Sequence, residues 1–457
     1  MMKKETRTMP TKPENWAAMT PEERRSWRLE NFRNSGRNVS FVSPQAEKNF
    51  RTRVNRLIDV YNLKEPDRVP LSVMAGNLPL KMAGLDARAS FYEPDKACEA
   101  AMKFNERYAE EIEAFTLPMQ LSGQFMEALD YKLYGWPGHG LADSAGGWQF
   151  IEGEYMMADE YDDLIRDPSD FWLRKYLPRV VGAFRPFTMF QPFTTIIENV
   201  HLNTLGPFSQ PAVQDMFRTF IKAGEAYAKA AAATRPYFGQ AAAHGFPAPF
   251  GMLCFAPFDV LGDTLRGTTN IMKDMFRQPE KLLAALEVIA DVTISNVLNS
   301  PGIDNFYMIS YPLHKGADGW MSRQQFETFY WPSFKRVLEA FINEGLIQSL
   351  FAEGGYNTRL EYVNDFPRGT VTWRFDQTDM AKAKELLGKD CCVQGNVPTS
   401  LLVTSTPDKV KEYCKNVIET CKPGGGFVLC PGAGAENPRL ENLKAMAEAV
   451  NEYGWYR

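Results

Sequence analysis

His314, Glu353, Asp376, Gln394, Asn396 and Cys430 stand at the ends of successive short apolar runs in the second half of the chain. His314 follows Ser310-Tyr311-Pro312 and is one of 4 histidines, so it reads as a loop residue able to carry a proton near neutral pH. A plain surface histidine is the alternative. Glu353 sits between Phe351-Ala352 and Gly354-Gly355, where partial desolvation would raise its pKa toward that of a general acid or base. The competing reading is a buried, paired carboxylate. His314, Glu353 and Cys430 are all zinc-ligand types, and three ligands plus an open position is the catalytic arrangement, although their spacing matches no diagnostic zinc pattern. Tyr356, Arg374, Asp376, Gln394, Asn396 and the upstream Asn77 could bind polar groups of a substrate. Arg374 and Asp376 flank Phe375 and could equally pair with each other.

The elements that must position these groups alternate. Cys391 to Pro398 reads as a strand with a polar end, followed by a helix from Thr406-Pro407, a Gly424-Gly425-Gly426 turn and the apolar run Phe427-Val428-Leu429-Cys430. Strand, helix, strand is the repeat of a parallel α/β barrel, whose catalytic groups collect at the C-terminal strand ends. Val410, Tyr413, Cys414, Val417, Ile418 and Cys421 give that helix one apolar stripe, and Pro407 and the glycines mark its start and stop. The glycines follow a helix and precede a strand, the reverse of a phosphate-binding loop. Upstream, strands are predicted at 68–74, 115–118, 148–155, 249–255, 305–310, 345–351 and 370–375. Helices are predicted at 51–61, from a Ser209 cap onward, at 279–299 and from Ser322 to Leu338. Residues 170–207 are rich in aromatics and show no clear period. Residues 1–50 read as a polar helical arm, and 51–457 as one barrel domain with insertions.

The ordered set Gln394-Gly395-Asn396-Val397-Pro398, Ser400-Leu401-Leu402, Thr406-Pro407, Gly424-Gly425-Gly426-Phe427-Val428-Leu429, Asn437-Pro438 and Asn442-Leu443 resembles the C-terminal signature of the uroporphyrinogen decarboxylase superfamily. That superfamily contains the decarboxylase of haem synthesis and the corrinoid- and coenzyme M-dependent methyltransferases. A looser match reaches back to Arg68-Val69-Pro70. The resemblance implies a (β/α)8 TIM barrel with its pocket at the C-terminal strand ends, but not which reaction it runs. The decarboxylase's Arg-rich stretch is replaced here by Met74-Ala75-Gly76-Asn77, which removes the bidentate clamp for a polycarboxylate. Its acidic residue should fall between Pro118 and Gln124, where Gln120, Ser122 and Gln124 stand instead. The methyltransferases' zinc-binding His-x-Cys reads Phe351-Ala352-Glu353, and their glycine-flanked cysteine reads Gly432-Ala433-Gly434. A standard thiol-activating zinc site therefore does not carry over.

Bulk properties narrow the remaining choices. The 457 residues carry a net charge of −5 with 23% charged side chains, which gives no basic stripe for nucleic acid. No run approaches the ~20 apolar residues of a membrane span, and the polar start lacks a secretory apolar region, so the expected compartment is cytoplasmic. The 7 cysteines form no Cys-x-x-Cys, and most read as reduced core residues. Cys391 and Cys392 should point to opposite faces of their strand. The 13% aromatic content, including Phe255, Phe258, Tyr307 and Trp320, suits a core or apolar pocket walls. Together with the resemblance, these features suggest a methyltransferase-like enzyme moving a methyl group between a small substrate and a corrinoid (cobalamin) on a partner protein. The chain itself has no Asp-x-His-x-x-Gly corrinoid motif. His314 and Glu353 would manage the proton, and oxygen or activated carbon is favoured over a thiol as methyl partner. A decarboxylase or lyase using Arg374 as clamp is the second expectation, and a non-catalytic binding barrel the third.

Overall fold

The computed structural model describes residues 11–456 except 74, 113–120 and 248–250, and no side chain in 109–112. Three short strands, β1 (Tyr134–Pro137), β2 (Gly140–Leu141) and β3 (Gln149–Phe150), form a small sheet in the order β2-β1-β3. The main sheet is six-stranded and runs β4 (Met252–Leu253), β5 (Met308–Leu313), β6 (Ile347–Ala352), β7 (Val371–Phe375), β8 (Cys392–Val397) and β9 (Phe427–Pro431) in sequence order. All five pairings are parallel. Leu71 bridges Leu429 in parallel, and the Leu429 amide donates to the Pro70 carbonyl at 3.0 Å. The first predicted strand thus lies beside the last, as closure of a barrel requires. The strand expected near Phe115 to Pro118 lies outside the described residues.

Alternation along the strands sorts their side chains between two environments. Ile309, Tyr311, Leu313, Leu350, Trp373 and Phe375 join the main core with Phe334, Val337 and Leu338 of the following helix. Met308, Ile347, Cys392 and Val428 join a second cluster with Phe32, Phe50, Val54 and Ile58, from the helices Pro21–Arg33 and Pro44–Tyr61. Those two helices cover the N-terminal end of the sheet. Thr20 and Glu23 cap the first reciprocally, and Ser43 caps the second. Arg28 is buried and donates to the carbonyls of Ile303, Phe306 and Glu344. Cys391 lies in the main core and Cys392 in the second cluster, on opposite faces as the sequence predicts.

Several local expectations shift. The 148–155 segment contributes only Gln149–Phe150, paired antiparallel to β1. Gln210, not Ser209, precedes the helix Pro211–Ala243, because the Ser209 hydroxyl turns back to the Gly206 carbonyl at 2.8 Å. Residues 172–209 are built largely from π and 3-10 turns, whose periods match neither 3.6 nor 2. The glycine turn has φ of +76°, +74° and +62°, and a Cβ on Gly425 would stand 2.4 Å from the Lys64 carbonyl oxygen. No described helix is long and apolar enough to cross a membrane.

Candidate active site

Strand β5 ends at Leu313, so its next two residues, His314 and Lys315, emerge at the C-terminal end of the sheet. Their main-chain amides donate to the two oxygens of Asp259, at 3.1 and 2.9 Å, and the Tyr330 hydroxyl donates to the same carboxylate at 2.8 Å. Asp259 is fully buried, which is tolerable only because these donors satisfy it. It ends a short helix that continues into a π turn, Val260–Leu265, and the turn brings Asp263 forward. One Asp263 oxygen lies 2.6 Å from His314 Nδ1, and the other lies 2.7 Å from Lys315 Nζ. Lys315 also donates to the Thr268 hydroxyl at 2.9 Å and lies over the Trp320 ring.

With Nδ1 held by Asp263, the other ring nitrogen of His314 faces Glu353, 3.9 Å away. Glu353 is the first residue after β6 and is half-exposed. The structure therefore brings together the two residues in which the sequence concentrates proton chemistry. Burial acts to lower the His314 pKa but is outweighed by the Asp263 hydrogen bond and the charges of Asp259, Asp263 and Glu353, which raise it to about 9. Burial and then the Asp263 charge push Asp259 up to about 6, against His314 and Tyr330. Burial would raise Asp263 too, yet its bonds to His314 and Lys315 hold it below the ordinary carboxylate value. Glu353 is raised, by desolvation first, with His314 opposing and Asp376 adding to it.

The other predicted residues have different partners. Arg374 does not pair with Asp376. Its guanidinium donates to the Pro431 carbonyl at 3.0 and 3.3 Å and stacks on Phe351, 4.5 Å from the ring centre. Asp376 accepts from the Gly354 amide at 3.2 Å and so steadies the Glu353 loop. Gln394 donates to the Thr372 hydroxyl at 2.6 Å. Asn396 is a buried brace that donates to the carbonyls of Asp376 and Thr378 and accepts from the Tyr413 hydroxyl. Tyr356 is buried, and its amide donates to Thr378. Asn77 ties the Gly146 and Glu436 loops, through its side chain and its amide respectively.

Cys430 is buried in β9, where burial raises its thiol pKa and Arg374 opposes the rise. Among the described residues no three His, Cys, Asp or Glu side chains form a group able to hold a metal. The combination His314, Glu353 and Cys430 is not assembled, so these residues do not fit a zinc ion.

Sequence reasoning missed Asp259, Asp263, Lys315 and Tyr330. One signal was present: Pro257-Phe258-Asp259-Val260-Leu261-Gly262-Asp263 carries two carboxylates four residues apart in an otherwise apolar run.

Residues 239–453 match the sequence profile of the uroporphyrinogen decarboxylase (URO-D) family. The uroporphyrinogen decarboxylase of Trichodesmium erythraeum is 28% identical over 232 residues, covering 47% of this chain and 58% of that protein. The enzyme of the same name from Actinobacillus succinogenes is 23% identical over 213 residues, covering 43% and 56%. The chain thus spans about half the length of the curated relatives it matches. A solved structure, a methyltransferase from Methanosarcina mazei, superposes with a TM-score of 0.53 over 87% of this chain and 98% of that one, at 18% identity. That likeness speaks to fold, and agrees with the (β/α)8 architecture. The residues matched by the uroporphyrinogen decarboxylase family profile, 239–453, contain all six strands of the main sheet and the Asp259, Asp263, His314 and Glu353 cluster, so the likeness to that family rests on the part of the chain that carries the site.

Proposed function

We propose that the barrel is a methyltransferase-like enzyme acting on a small molecule at oxygen or activated carbon, with His314 as its proton donor and acceptor. The observation that carries this reading is the anchoring of His314 Nδ1 by Asp263, which leaves Nε2 facing Glu353. An imidazole fixed at one nitrogen presents the other in a set direction, the arrangement general acid catalysis needs. When a methyl group leaves an oxygen of the substrate, that oxygen gains negative charge and takes the Nε2 proton. In the opposite direction neutral His314 accepts a proton from the methyl acceptor, and the neighbouring carboxylates stabilise the imidazolium. Lys315 neutralises part of the Asp263 charge, so the cluster does not hold three unpaired acids.

A corrinoid on a partner protein fits the surroundings of His314 in one respect. The part-exposed rings of Phe255, edge-on to His314, and of Trp320, over Lys315, offer apolar surface for a flat macrocycle. Such a group, when bound, supplies the metal centre that carries the methyl. The test is to mix the purified chain with cob(I)alamin and candidate methyl ethers and follow loss of the cob(I)alamin absorption. Turnover by the wild type and its loss in His314→Ala support the proposal. Equal turnover in the two proteins contradicts it.

Decarboxylation of a small carboxylate is the second reading, favoured by the names of the curated relatives and by Arg374 beside Phe351. Release of carbon dioxide without methyl transfer would select it.

A further inference from the structure

Strands β5 to β8 bury one face and leave the other partly open. Ile309, Tyr311, Leu350, Trp373 and Val393 are at most 1% exposed, whereas Ser310, Pro312, Ser349, Phe351, Arg374 and Gln394, which alternate with them, are only part-buried. Alternate residues of a strand point to opposite faces, and the buried set joins Phe334, Val337 and Leu338 of the surrounding helices in the main core. The part-buried set therefore faces the barrel interior. Leu253 on β4 shares that face, since its neighbour Cys254 joins the main core, and it is 61% exposed. Branched apolar side chains ordinarily fill the interior of such a barrel. Here solvent reaches it, so the interior is a well open at the C-terminal strand ends.

Residue type accounts for the hollow. In the ladder Leu253 stands beside Ser310, Ser310 beside Ser349 and Ser349 beside Thr372, which puts three hydroxyl side chains where a barrel needs bulk. The Gln394 amide closes over Thr372, but among the described residues neither the Ser310 nor the Ser349 hydroxyl has a hydrogen-bond partner. His314 and Glu353 stand four residues beyond these serines, about 13 Å at the rise of a strand. The Phe255 ring, edge-on to His314, lines the way down.

One positive charge points into the well. Arg374 lies over Phe351 and donates to the Pro431 carbonyl, and among the described residues it forms no ion pair. The rim charges have partners: His314 and Lys315 hold Asp263, Glu353 faces His314, and Asp376 accepts from the Gly354 amide. A part-buried guanidinium with only a carbonyl for partner lacks a counter-charge, and a carboxylate is the group that its planar fork fits. We propose that the well binds a small monocarboxylate with a flat apolar body: the carboxylate on Arg374, the body against Leu253, Phe255 and Phe351, and any polar substituent on Ser310 and Ser349. A single cation inside, with acids at the rim, selects one carboxylate over several. This inference rests on reading the barrel mouth as a small-molecule site and is independent of the reaction run there.

Isothermal titration calorimetry of the full chain with benzoate, its neutral isostere benzamide and the cation benzylamine is the test. No methyl donor or corrinoid is present, so failed binding and failed turnover are separate results. Benzoate should bind the wild type about 10- to 100-fold more tightly than benzamide, the span of one charge-assisted contact. Arg374→Gln should remove that preference and Arg374→Lys keep part of it, while Ser349→Leu, which fills the well, should abolish benzoate binding with circular dichroism unchanged. The comparison of the three probes needs only the wild type, so it stands even where a variant fails to fold. Equal affinity for benzoate and benzamide, tighter binding of benzylamine, no measurable binding of benzoate, or binding that survives both Arg374→Gln and Ser349→Leu overturns the proposal.

Discussion

The chemistry concentrates in one imidazole with three carboxylate neighbours, Asp259, Asp263 and Glu353. Because three acids outweigh the effect of burial on His314, the ring is an imidazolium across the neutral range and loses its proton only as pH approaches about 9. If His314 acts as acid, turnover falls as pH rises through that value. Asp263→Asn removes the strongest raising contact, so the falling limb moves to lower pH, which a pH profile of kcat/KM reads directly. His314→Ala should lower kcat about 10²- to 10⁴-fold, the span of general acid catalysis, while far-ultraviolet circular dichroism is unchanged. The same shift has a consequence for stability. A folded-state pKa above the ordinary 6.5 stabilises the fold fully below that pH, and the contribution is lost as pH rises to about 9. The stability difference between wild type and His314→Gln should accordingly shrink across this window in urea unfolding, and a difference that grows with pH would contradict the assignment. Asp259 and Asp263 were illegible as site residues for a physical reason. Their run is apolar, the π turn that delivers Asp263 has no periodic signature, and nothing in the sequence places Asp259 and Asp263 within reach of a residue 55 and 51 positions later.

At the scale of elements, the loop after β5 is held to the rest of the barrel by close packing as well as by Asp259. A Cβ on Gly316 would lie 2.5 Å from the Tyr356 hydroxyl and 2.9 Å from the Tyr330 ring. Gly316→Ala must therefore displace the loop that carries His314. It should destabilise the fold by about 1–3 kcal/mol, the usual range for overpacking, and lower kcat as well, whereas Gly319→Ala, which meets nothing within 4 Å, should leave both unchanged. The strands β5 to β9 were legible because continuous apolar runs with polar ends have few other readings in an alternating α/β pattern. Their bounds differ from expectation by a few residues, most at β5, where Asn305 to Tyr307 precede the sheet. The 170–207 stretch was not legible, because 3-10 and π turns replace the 3.6-residue period on which helix reading depends.

For the whole molecule, the two N-terminal helices act as the floor of the barrel. The Phe32 ring stacks on Tyr307 at 4.2 Å, and the fully buried Arg28 satisfies three carbonyls from two separate loops. Arg28→Ala takes the guanidinium from all three acceptors, leaving the Ile303 carbonyl only its bond from the Phe306 amide, and should cost about 2–4 kcal/mol in chemical denaturation. From sequence residues 1–50 read as a polar arm and 51–61 as a helix of the barrel; the first helix shows a charged surface in which only Arg25, Arg28, Leu29 and Phe32 are buried, and the second begins earlier, at Pro44. The barrel class was legible from the C-terminal segment, because strand, helix and glycine turn occur there in the order that brings β9 beside β8.

The central claim is that Asp263 holds His314 as an imidazolium facing Glu353. Proton and nitrogen NMR titration of the imidazole signals in the full chain, with His314→Gln used to assign the resonance among 4 histidines, tests it most directly. The account predicts that His314 titrates at about 9 and returns toward the ordinary value in Asp263→Asn. Titration of His314 near 6.5 in the wild type, unchanged by Asp263→Asn, would contradict it.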